Sequence, residues 1–227
     1  MSGQLLAVYE DGMADYVKEP WEARNDYVHV MLDRSEENVA AFLLKHSRHP
    51  LDDEAIVTVL SLLEMQRHAL LMYTSCGWFF DELSGLETVQ IVQYAARAIQ
   101  LAEDFSLLEI KSPFLERLAL AGSNIPELDN GANIYAKFVD TAMIDSIKVG
   151  AHYAVSFVFE EYGEETDIFS YRAFKEDSLI LRAGPMKVAV GNIHIRSHNH
   201  PQNSPDKFLQ SLLWRSNLEL RRVRLFR

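Results

Sequence analysis

The sequence is poor in cysteine, in long apolar runs and in positive charge, and each shortage excludes a class of protein. Cys76 is the one cysteine among 227 residues, which excludes a disulfide scaffold. No apolar run approaches the roughly 20 residues that a membrane-spanning helix needs. Residues 1–10 lack the basic segment of a signal peptide. We therefore expect a soluble protein of the reducing cytoplasm, with no membrane partner.

Positive charge is scarce overall but concentrated at one end of the chain. Lys and Arg number 22 against 33 Asp and Glu, so the formal net charge is −11. Proteins that bind nucleic acid carry basic patches that displace counterions from phosphates. The acidic body predicts no nucleic-acid partner. Residues 201–227 hold six basic residues against two acidic ones and form an atypical basic tail.

Known catalytic and cofactor motifs are missing as well. The chain has no Gly-rich phosphate loop, no GxSxG nucleophile elbow and no HExxH zinc motif. His194, His198 and His200 match no standard metal-ligand spacing, which favours a solvated turn. We predict no cofactor, no metal and no catalytic residue in this chain.

Hydrophobic residues make up 48% of the chain, and their spacing changes near residue 163. Apolar residues recur at helical spacing over residues 15–161, whereas residues 164–200 contain short alternating runs typical of strands. The predicted fold class is α+β, mainly α: a helical bundle over residues 1–163 is followed by a small antiparallel β-sheet over residues 164–200. The sheet is expected to pack on the bundle.

Residues 64–97 hold the densest group of polar and aromatic side chains, around a helix break. Aromatic faces receive the apolar face of a sugar while carboxylates and amides bind its hydroxyls, so this composition is typical of a sugar site. A buried aromatic corner with satisfied polar neighbours is the alternative. Glu64 and His68 are spaced i, i+4 and share a helix face. A carboxylate at Asp81 or Glu82 is a candidate for acid–base work, with no partner identifiable from spacing.

The long motif LLEMQRHALLMYTSCGWFFDELSGLETVQIVQYAARAIQLAEDF resembles a helical region of bacterial proteins related to glycoside hydrolase family 57. That region follows the catalytic barrel and is known as domain of unknown function 3536. WEARNDYVHVMLDRS upstream and GANIYAKFVD downstream fit the same pattern, and the likeness covers residues 21–196.

The resemblance implies an accessory domain that completes an α-glucan site. Family enzymes act on α-glucans with retention and carry their catalytic glutamate and aspartate on the barrel. This chain would then be inactive alone, and its partner would be a family 57-type barrel upstream. Substrate-binding residues implied by the motif and its surroundings are Trp78, Phe79, Asp81, Tyr73, Ser75, Cys76 and Gln90, supported by Glu64, Arg67, His68, Glu87 and Tyr94.

Two further interpretations remain open at this stage. The first is a non-catalytic interaction module that docks a protein through the same aromatic surface. The second is a self-sufficient enzyme that uses Asp81, Glu64 and His68. Residues 201–227 depart from the family pattern, which suggests a frameshifted or truncated gene. Coding sequence for a barrel next to this chain would favour the accessory domain, and a Trp78 buried in an apolar core would favour the docking module. A closed polar pocket that holds Glu64, His68 and Asp81 within hydrogen-bond reach would favour the enzyme.

Overall fold

The computed structural model describes the backbone of residues 1–169, 171–183, 186–197, 207–216 and 222–225, with side chains for 1–169, 171–182 and 187–196. Helices precede strands along the chain, so the predicted α+β, mainly α class is confirmed. The helices are α1 (Ser2–Met13), α2 (Pro20–Leu32), α3 (Glu36–His46), α4 (Asp53–Leu71), α5 (Leu86–Glu103), α6 (Lys111–Leu118), α7 (Gly131–Ile134) and α8 (Ser146–Phe157). The strands are β1 (Glu165–Ile168), β2 (Tyr171–Ala183), β3 (Met186–Ser197), β4 (Lys207–Ser216) and β5 (Arg222–Leu225).

Helix starts follow the capping residues in the sequence. The Ser35 hydroxyl accepts a bond from the amide of Asn38 at 3.4 Å, and the Asp52 carboxylate accepts one from Ala55 at 2.9 Å. Each side chain satisfies an amide that has no partner within the helix. Pro20 begins α2, where its missing amide hydrogen costs nothing. These local signals explain why α2, α3 and α4 begin where they do.

The chain divides into two compact units, residues 1–143 and 144–227. In the first unit, α1, α2, α4 and α5 supply a core that includes Tyr9, Met13, Leu62 and Ile99, all at most 1% exposed. Burying a large apolar side chain contributes about 1.5–3 kcal/mol. Helix α1 is part of this core, although it precedes residues 15–161, over which the sequence shows helical spacing.

In the second unit, the strands form an antiparallel sheet in the order β1-β2-β3-β4-β5. The register between β3 and β4 shifts between Gly191 and Ile193, and that between β2 and β3 shifts between Lys175 and Asp177. A side chain at Gly191 would lie 2.5 Å from the carbonyl oxygen of Asp177, so only glycine fits. Strands β4 and β5 belong to the predicted tail, residues 201–227, and extend the sheet.

The boundary between the units differs from the predicted division at residue 163. Helix α8 was assigned to the bundle, yet its Val149 and Tyr153 share a core with Ile193 and Ile195 of β3. Its apolar face has a partner in the sheet, which is why α8 belongs to the second unit. Helical periodicity identifies a buried face but does not say which element buries it. Over the residues that the structure describes, no helix is both long and apolar enough to cross a membrane.

Candidate functional site

The segment between α4 and α5, residues 72–85, is held in a defined conformation by short-range bonds. A 3₁₀ turn spans Ser75–Trp78. The Thr74 hydroxyl donates to the carbonyl of Leu71 at 2.8 Å, and the Trp78 indole nitrogen donates to the carbonyl of Thr74 at 3.2 Å. Cys76 is exposed, and its thiol donates to the Thr74 hydroxyl at 3.7 Å. The indole is therefore tied at its nitrogen.

Gly77 fixes this segment to α5. The Thr88 hydroxyl donates to its carbonyl at 2.5 Å. A Cβ at this position would lie 1.9 Å from the Cδ1 atom of Ile91, far closer than any real contact. Glycine is required here because the backbone itself packs against the Ile91 side chain. Buried Gly77 thus places its neighbours Cys76 and Trp78 at the surface.

Three consecutive aromatic side chains follow Gly77 and face solvent. Trp78 is 76% exposed, Phe79 81% and Phe80 55%. The rings of Phe79 and Phe80 lie 5.2 Å apart in an edge-to-face arrangement. We name these three residues the aromatic platform. Apolar surface of this kind on a folded chain is typical of a binding surface.

Glu82 anchors the other end of the segment. Its carboxylate accepts bonds from the amide of Ser84 at 2.9 Å, the hydroxyl of Ser123 at 2.8 Å and the amide of Asn124 at 2.7 Å. These bonds, that from Ser84 first, lower the pKa of Glu82 to about 2. The Asn124 side chain also donates to the carbonyl of Asp81 at 2.6 Å. Glu82 therefore serves as an ionised anchor, which rules against its use as a general acid.

The remaining predicted binding residues surround the platform in sequence. Tyr73 and Ser75 are exposed, as is the Asp81 side chain, and the Tyr73 hydroxyl contacts the Ser2 hydroxyl. Gln90 is half-buried on α5. Gln90 lies three residues from Glu87, four from Tyr94 and seven from Arg97, so these four side chains share one face of α5. The structure therefore presents the predicted polar groups at or near the surface.

The supporting residue Glu64 has the opposite environment. It is 3% exposed, and its carboxylate accepts a bond from the Tyr27 hydroxyl at 2.7 Å. Arg34 donates to the same oxygen, and Arg67 donates to the other oxygen at 3.2 Å. We name Tyr27, Arg34, Glu64, Arg67 and His68 the Glu64 cluster. Burial alone would raise the pKa of Glu64, but the bonds from Tyr27 and Arg34 and the arginine charges lower it.

His68 lies at the edge of this cluster. Its Nε2 atom is 3.9 Å from Glu64 Oε2, and its ring lies 5.9 Å from that of Tyr94. Burial lowers the pKa of His68 to about 4, and the charges of Arg67 and Arg97 act in the same direction, although Glu64 opposes them. Its Nδ1 atom is buried without a hydrogen-bond partner. The imidazole is therefore neutral at pH 7.

These environments decide among the chemical roles considered above. A general acid or base needs an accessible carboxylate with a pKa near the working pH. Glu64 is ionised, buried and occupied by three donors, so the geometry does not support the self-sufficient enzyme. The Glu64 cluster holds α2, the α2–α3 connection and α4 together.

Sequence reasoning missed Arg34, Tyr27, Phe80 and Arg97. Arg34 lies in the connection between α2 and α3, where no periodicity marks it. An i, i+3 or i, i+4 search from Glu64 finds Arg67 and His68 but cannot find a partner 30 residues away. Tyr27 was recognisable only as a core residue of α2.

The histidines near the end of β3 form no metal site that we can describe. His194 pairs with Glu176 through its Nε2 atom, and His198 and His200 lie outside the described residues. In the described part of the chain, no group of three or more His, Cys, Asp or Glu side chains is arranged to hold a metal ion.

A family model described as Domain of unknown function (DUF3536) matches residues 1–221. The matched range extends beyond residues 21–196 in both directions and includes most of the predicted tail. No curated protein and no solved structure matches the chain.

Proposed function

The chain belongs to the family described as Domain of unknown function (DUF3536), and from this premise we propose that it binds α-glucan as an accessory domain. In this proposal the chain contributes the aromatic platform to a glycoside hydrolase family 57-like protein. A barrel of that family would be its partner and would carry the catalytic pair. Whether the whole protein hydrolyses or transfers glucosyl units would then depend on the barrel.

The observation that carries the proposal is the exposure of Trp78 and Phe79. Aromatic side chains are among the strongest contributors to apolar burial, and a folded chain usually covers them. Here two large aromatic side chains, Trp78 and Phe79, are each more than three-quarters exposed at one helix break. The apolar face of a pyranose ring stacks on such an aromatic face while its hydroxyls remain in water. A sugar is therefore a ligand that suits this surface.

Anchoring of the segment strengthens the proposal. Gly77 is held by Thr88, and Glu82 is held by Ser123 and Asn124, so the chain is fixed on both sides of Trp78. A preorganised surface loses less conformational entropy on binding than a free loop. The Trp78 indole also bonds to the Thr74 carbonyl. These contacts support a surface shaped in advance for its ligand.

Polar groups for the sugar hydroxyls are available beside the aromatic rings in sequence. Asp81 offers an exposed carboxylate three residues after Trp78, and Ser75 offers an exposed hydroxyl three residues before it. Gln90 would add an amide from α5. A carboxylate accepts hydrogen bonds from hydroxyls, and an amide both donates and accepts. We assign Asp81, Ser75 and Gln90 to sugar hydroxyls, with Tyr73 and Cys76 lining the edge.

A cytoplasmic location is part of the proposal. It is supported by the single cysteine, since disulfides persist in secreted proteins and are rare in the cytosol.

The test is fluorescence titration with maltooligosaccharides in a Trp21→Phe/Trp214→Phe background, which leaves Trp78 as the only tryptophan. We expect a saturable change in emission. Phe79→Ala and Asp81→Asn should weaken binding severalfold, whereas Leu44→Ala, a change of an exposed apolar residue on α3, should not. Calorimetry on the natural sequence and on Trp78→Ala gives a readout without labels. Absence of saturable binding in both assays would contradict the proposal.

A protein-docking module is the second candidate, and exposed aliphatic residues favour it. Leu86 is 80% exposed and Leu70 55%, and they flank the platform in sequence. Exposed aliphatic side chains do not stack on a sugar ring, whereas they pack against the apolar core of a protein–protein interface. The measurement is calorimetric titration with a purified family 57-type barrel. Binding that Leu86→Ser weakens, without any oligosaccharide effect on Trp78, would favour the docking module.

A further inference from the structure

One edge of the sheet in the second unit is open because β1 is much shorter than β2. Strand β1 pairs with residues 171–174 of β2, and the amide of Lys175 donates to the carbonyl of Glu164 at 2.8 Å. Beyond this point, no strand among the described residues pairs with β2 on the side away from β3. Alternate residues of an edge strand point their N–H and C=O groups away from the one neighbouring strand. Residues 176–183 therefore offer backbone groups to a further strand.

This open edge is exposed on both faces and apolar at its centre. Each residue from 176 to 182 is exposed. Leu179, Ile180 and Leu181 are 56%, 39% and 55% exposed. Burial alternates along a strand that covers a core on one face, and here it does not. Three consecutive large aliphatic side chains thus face water at the edge of a sheet.

The usual protection of an exposed edge is missing from the centre of this stretch. Natural sheets shield their edge strands with lysine or proline, with inward-pointing charges or with bulges. Residues 178–181, with the sequence Ser-Leu-Ile-Leu, contain neither a charge nor a proline. The bulge of β2 precedes them, between Lys175 and Asp177. An edge of this composition is a template for pairing with another strand.

The pairing of β2 with β3 assigns the three aliphatic side chains to the two faces of the sheet. Ile180 is opposite Ala189, which shares a core with Phe157 of α8, so Ile180 lies on the α8 side. Leu179 and Leu181 lie on the other face, because side chains alternate along a strand. A strand added at this edge fits best if it carries apolar residues on both faces at its centre.

Strand β2 itself meets this requirement. Two copies of β2 related by a two-fold axis at Ile180 run antiparallel, with Ile180 opposite its own copy and Leu179 opposite the partner's Leu181. Shifting the register by two residues in one direction would place Leu181 opposite Asp177. The same shift in the other direction would place Ile180 opposite Arg182. The register about Ile180 is thus the one in which apolar side chains meet apolar side chains on both faces.

The charges at the two ends of the edge favour the same arrangement. Asp177 lies at its start, next to Glu176, which pairs with His194, and Arg182 lies at its end. In the antiparallel pair, the acidic start of one copy lies beside the basic end of the other, and the two-fold axis repeats this match. Complementary charges select a partner and its orientation. A parallel pair of the same strands would bring like charges together.

We propose that the open edge of β2, residues 176–183, is a docking surface for a second copy of this chain. The two copies pair antiparallel about a two-fold axis at Ile180 and join their sheets into one. This pairing satisfies the open β2 edge of both copies. It uses none of the residues of the aromatic platform, so the proposal does not depend on sugar binding by Trp78.

The test is sedimentation velocity of the whole chain over a wide range of protein concentrations. We expect the weight-average mass to rise with concentration from that of one chain toward that of two. Leu179→Lys/Leu181→Lys should weaken dimerisation by about tenfold or more, because like charges would lie directly opposite each other. Leu32→Lys/Leu44→Lys, at exposed positions on α2 and α3, adds the same charge and should dimerise as the natural sequence does. Circular dichroism checks that both variants are folded.

Cysteine crosslinking tests the register in a Cys76→Ser background. Ile180→Cys places one thiol of each copy at the two-fold axis, where directly opposed residues are within the reach of a disulfide. Mild oxidation should therefore give a crosslinked dimer on a non-reducing gel. Arg182→Cys is the control, because its two copies are separated by four positions along the paired strands and lie out of reach.

Three results would overturn the proposal. The first is a natural sequence that sediments as one chain at every concentration, which would leave the edge to a strand of another protein. The second is a Leu179→Lys/Leu181→Lys variant that dimerises as the natural sequence does, and the third is equal crosslinking at the two cysteine positions. Dimerisation should persist in Trp78→Ala, which separates this proposal from the proposed function. A dimer lost in Trp78→Ala would assign the interface to the platform and not to β2.

Discussion

Glu64 and the aromatic platform belong to one stretch of sequence, residues 64–97, yet Glu64 is 3% exposed and Phe79 is 81% exposed. The first is polar and buried, and the second is apolar and faces water. In an ordinary fold the two environments would be exchanged. Each exception has its own structural support: hydrogen-bond donors surround Glu64, and Gly77 and Glu82 anchor the platform.

This difference in burial indicates which residues stabilise the fold and which are available to bind a ligand. A buried carboxylate with three donors holds elements together, because removing it leaves its partners unsatisfied. An exposed aromatic ring adds little to folding, because most of its surface stays in water either way. We therefore expect substitutions in the cluster to change the free energy of unfolding. Substitutions in the platform should change binding.

The largest effect is expected for Glu64→Ala. The variant leaves Arg34, Arg67 and Tyr27 without the carboxylate that orients them. Because the two arginines are partly exposed and can be solvated, we expect a loss of about 2–3 kcal/mol in the free energy of unfolding. Urea unfolding monitored by circular dichroism measures it. Glu116→Ala, an exposed change on α6, should stay within about 0.5 kcal/mol. Equal effects of the two variants would remove the distinction between the regions.

The next effect concerns pH and His68. Its pKa of about 4 lies below its ordinary value of 6.5, so between these values the unfolded chain binds the proton and the folded chain does not. Stability should therefore be complete above pH 6.5 and fall as the pH drops toward 4, by about 2 kcal/mol. His68→Gln should flatten this part of the profile.

Acidic groups do not obscure that window. The pKa of Glu64 and that of Glu82 are both lowered, so their contributions are lost only as the pH falls below about 4.5. His29→Gln, at an exposed position on α2, is the control and should leave the slope between pH 4.5 and 6.5 unchanged. An unchanged slope in His68→Gln would show that the imidazole is protonated in the folded protein.

The third effect tests the anchor of the platform. In Gly77→Ala the new Cβ would lie 1.9 Å from Ile91 Cδ1, so Ile91 or the 3₁₀ turn must move. Overpacking of this kind costs about 1–3 kcal/mol, and the half-buried Ile91 can yield, so we expect about 1–2 kcal/mol. Thermal unfolding measures it, and Gly122→Ala is the control because nothing lies within 4 Å of its Cβ position. A second change, Ile91→Ala, should recover part of the loss. If Ile91→Ala recovers none of the lost stability, the contact with Ile91 is not the source of the strain in Gly77→Ala.

Much of the fold was predictable because its signals are local. Ser35 and Asp52 are capping residues that mark the starts of α3 and α4 in the sequence. The alternation of apolar and polar residues marks the strands. The assignment of α8 was not local, since its apolar face fits a helix bundle or a sheet equally well. Only the packing of Tyr153 against the sheet core decides that it belongs to the second unit.

The residue types of the candidate site were predictable from the sequence, but the burial or exposure of each side chain was not. The polar and aromatic residues around Trp78 marked the segment, but their burial depends on contacts distant in sequence. Glu64 is buried because Arg34 and Tyr27 come to it from 30 and 37 residues away. Trp78 is exposed because Gly77 takes the buried position against Ile91. A helical-wheel projection shows only neighbours within one helix, so it reveals neither the contacts of Glu64 nor that of Gly77.

The smallest effect on folding is expected for Trp78→Ala, and it tests the comparison most directly. The ring is 76% exposed, so its truncation removes little buried area, and the indole bond to the Thr74 carbonyl can be replaced by water. We expect less than about 0.5 kcal/mol in urea unfolding, with Leu44→Ala on α3 as an equally exposed control. A loss above about 1.5 kcal/mol would mean that the indole packs as a structural residue. A near-zero change in stability combined with loss of oligosaccharide binding would show that this aromatic side chain is kept at the surface for its ligand.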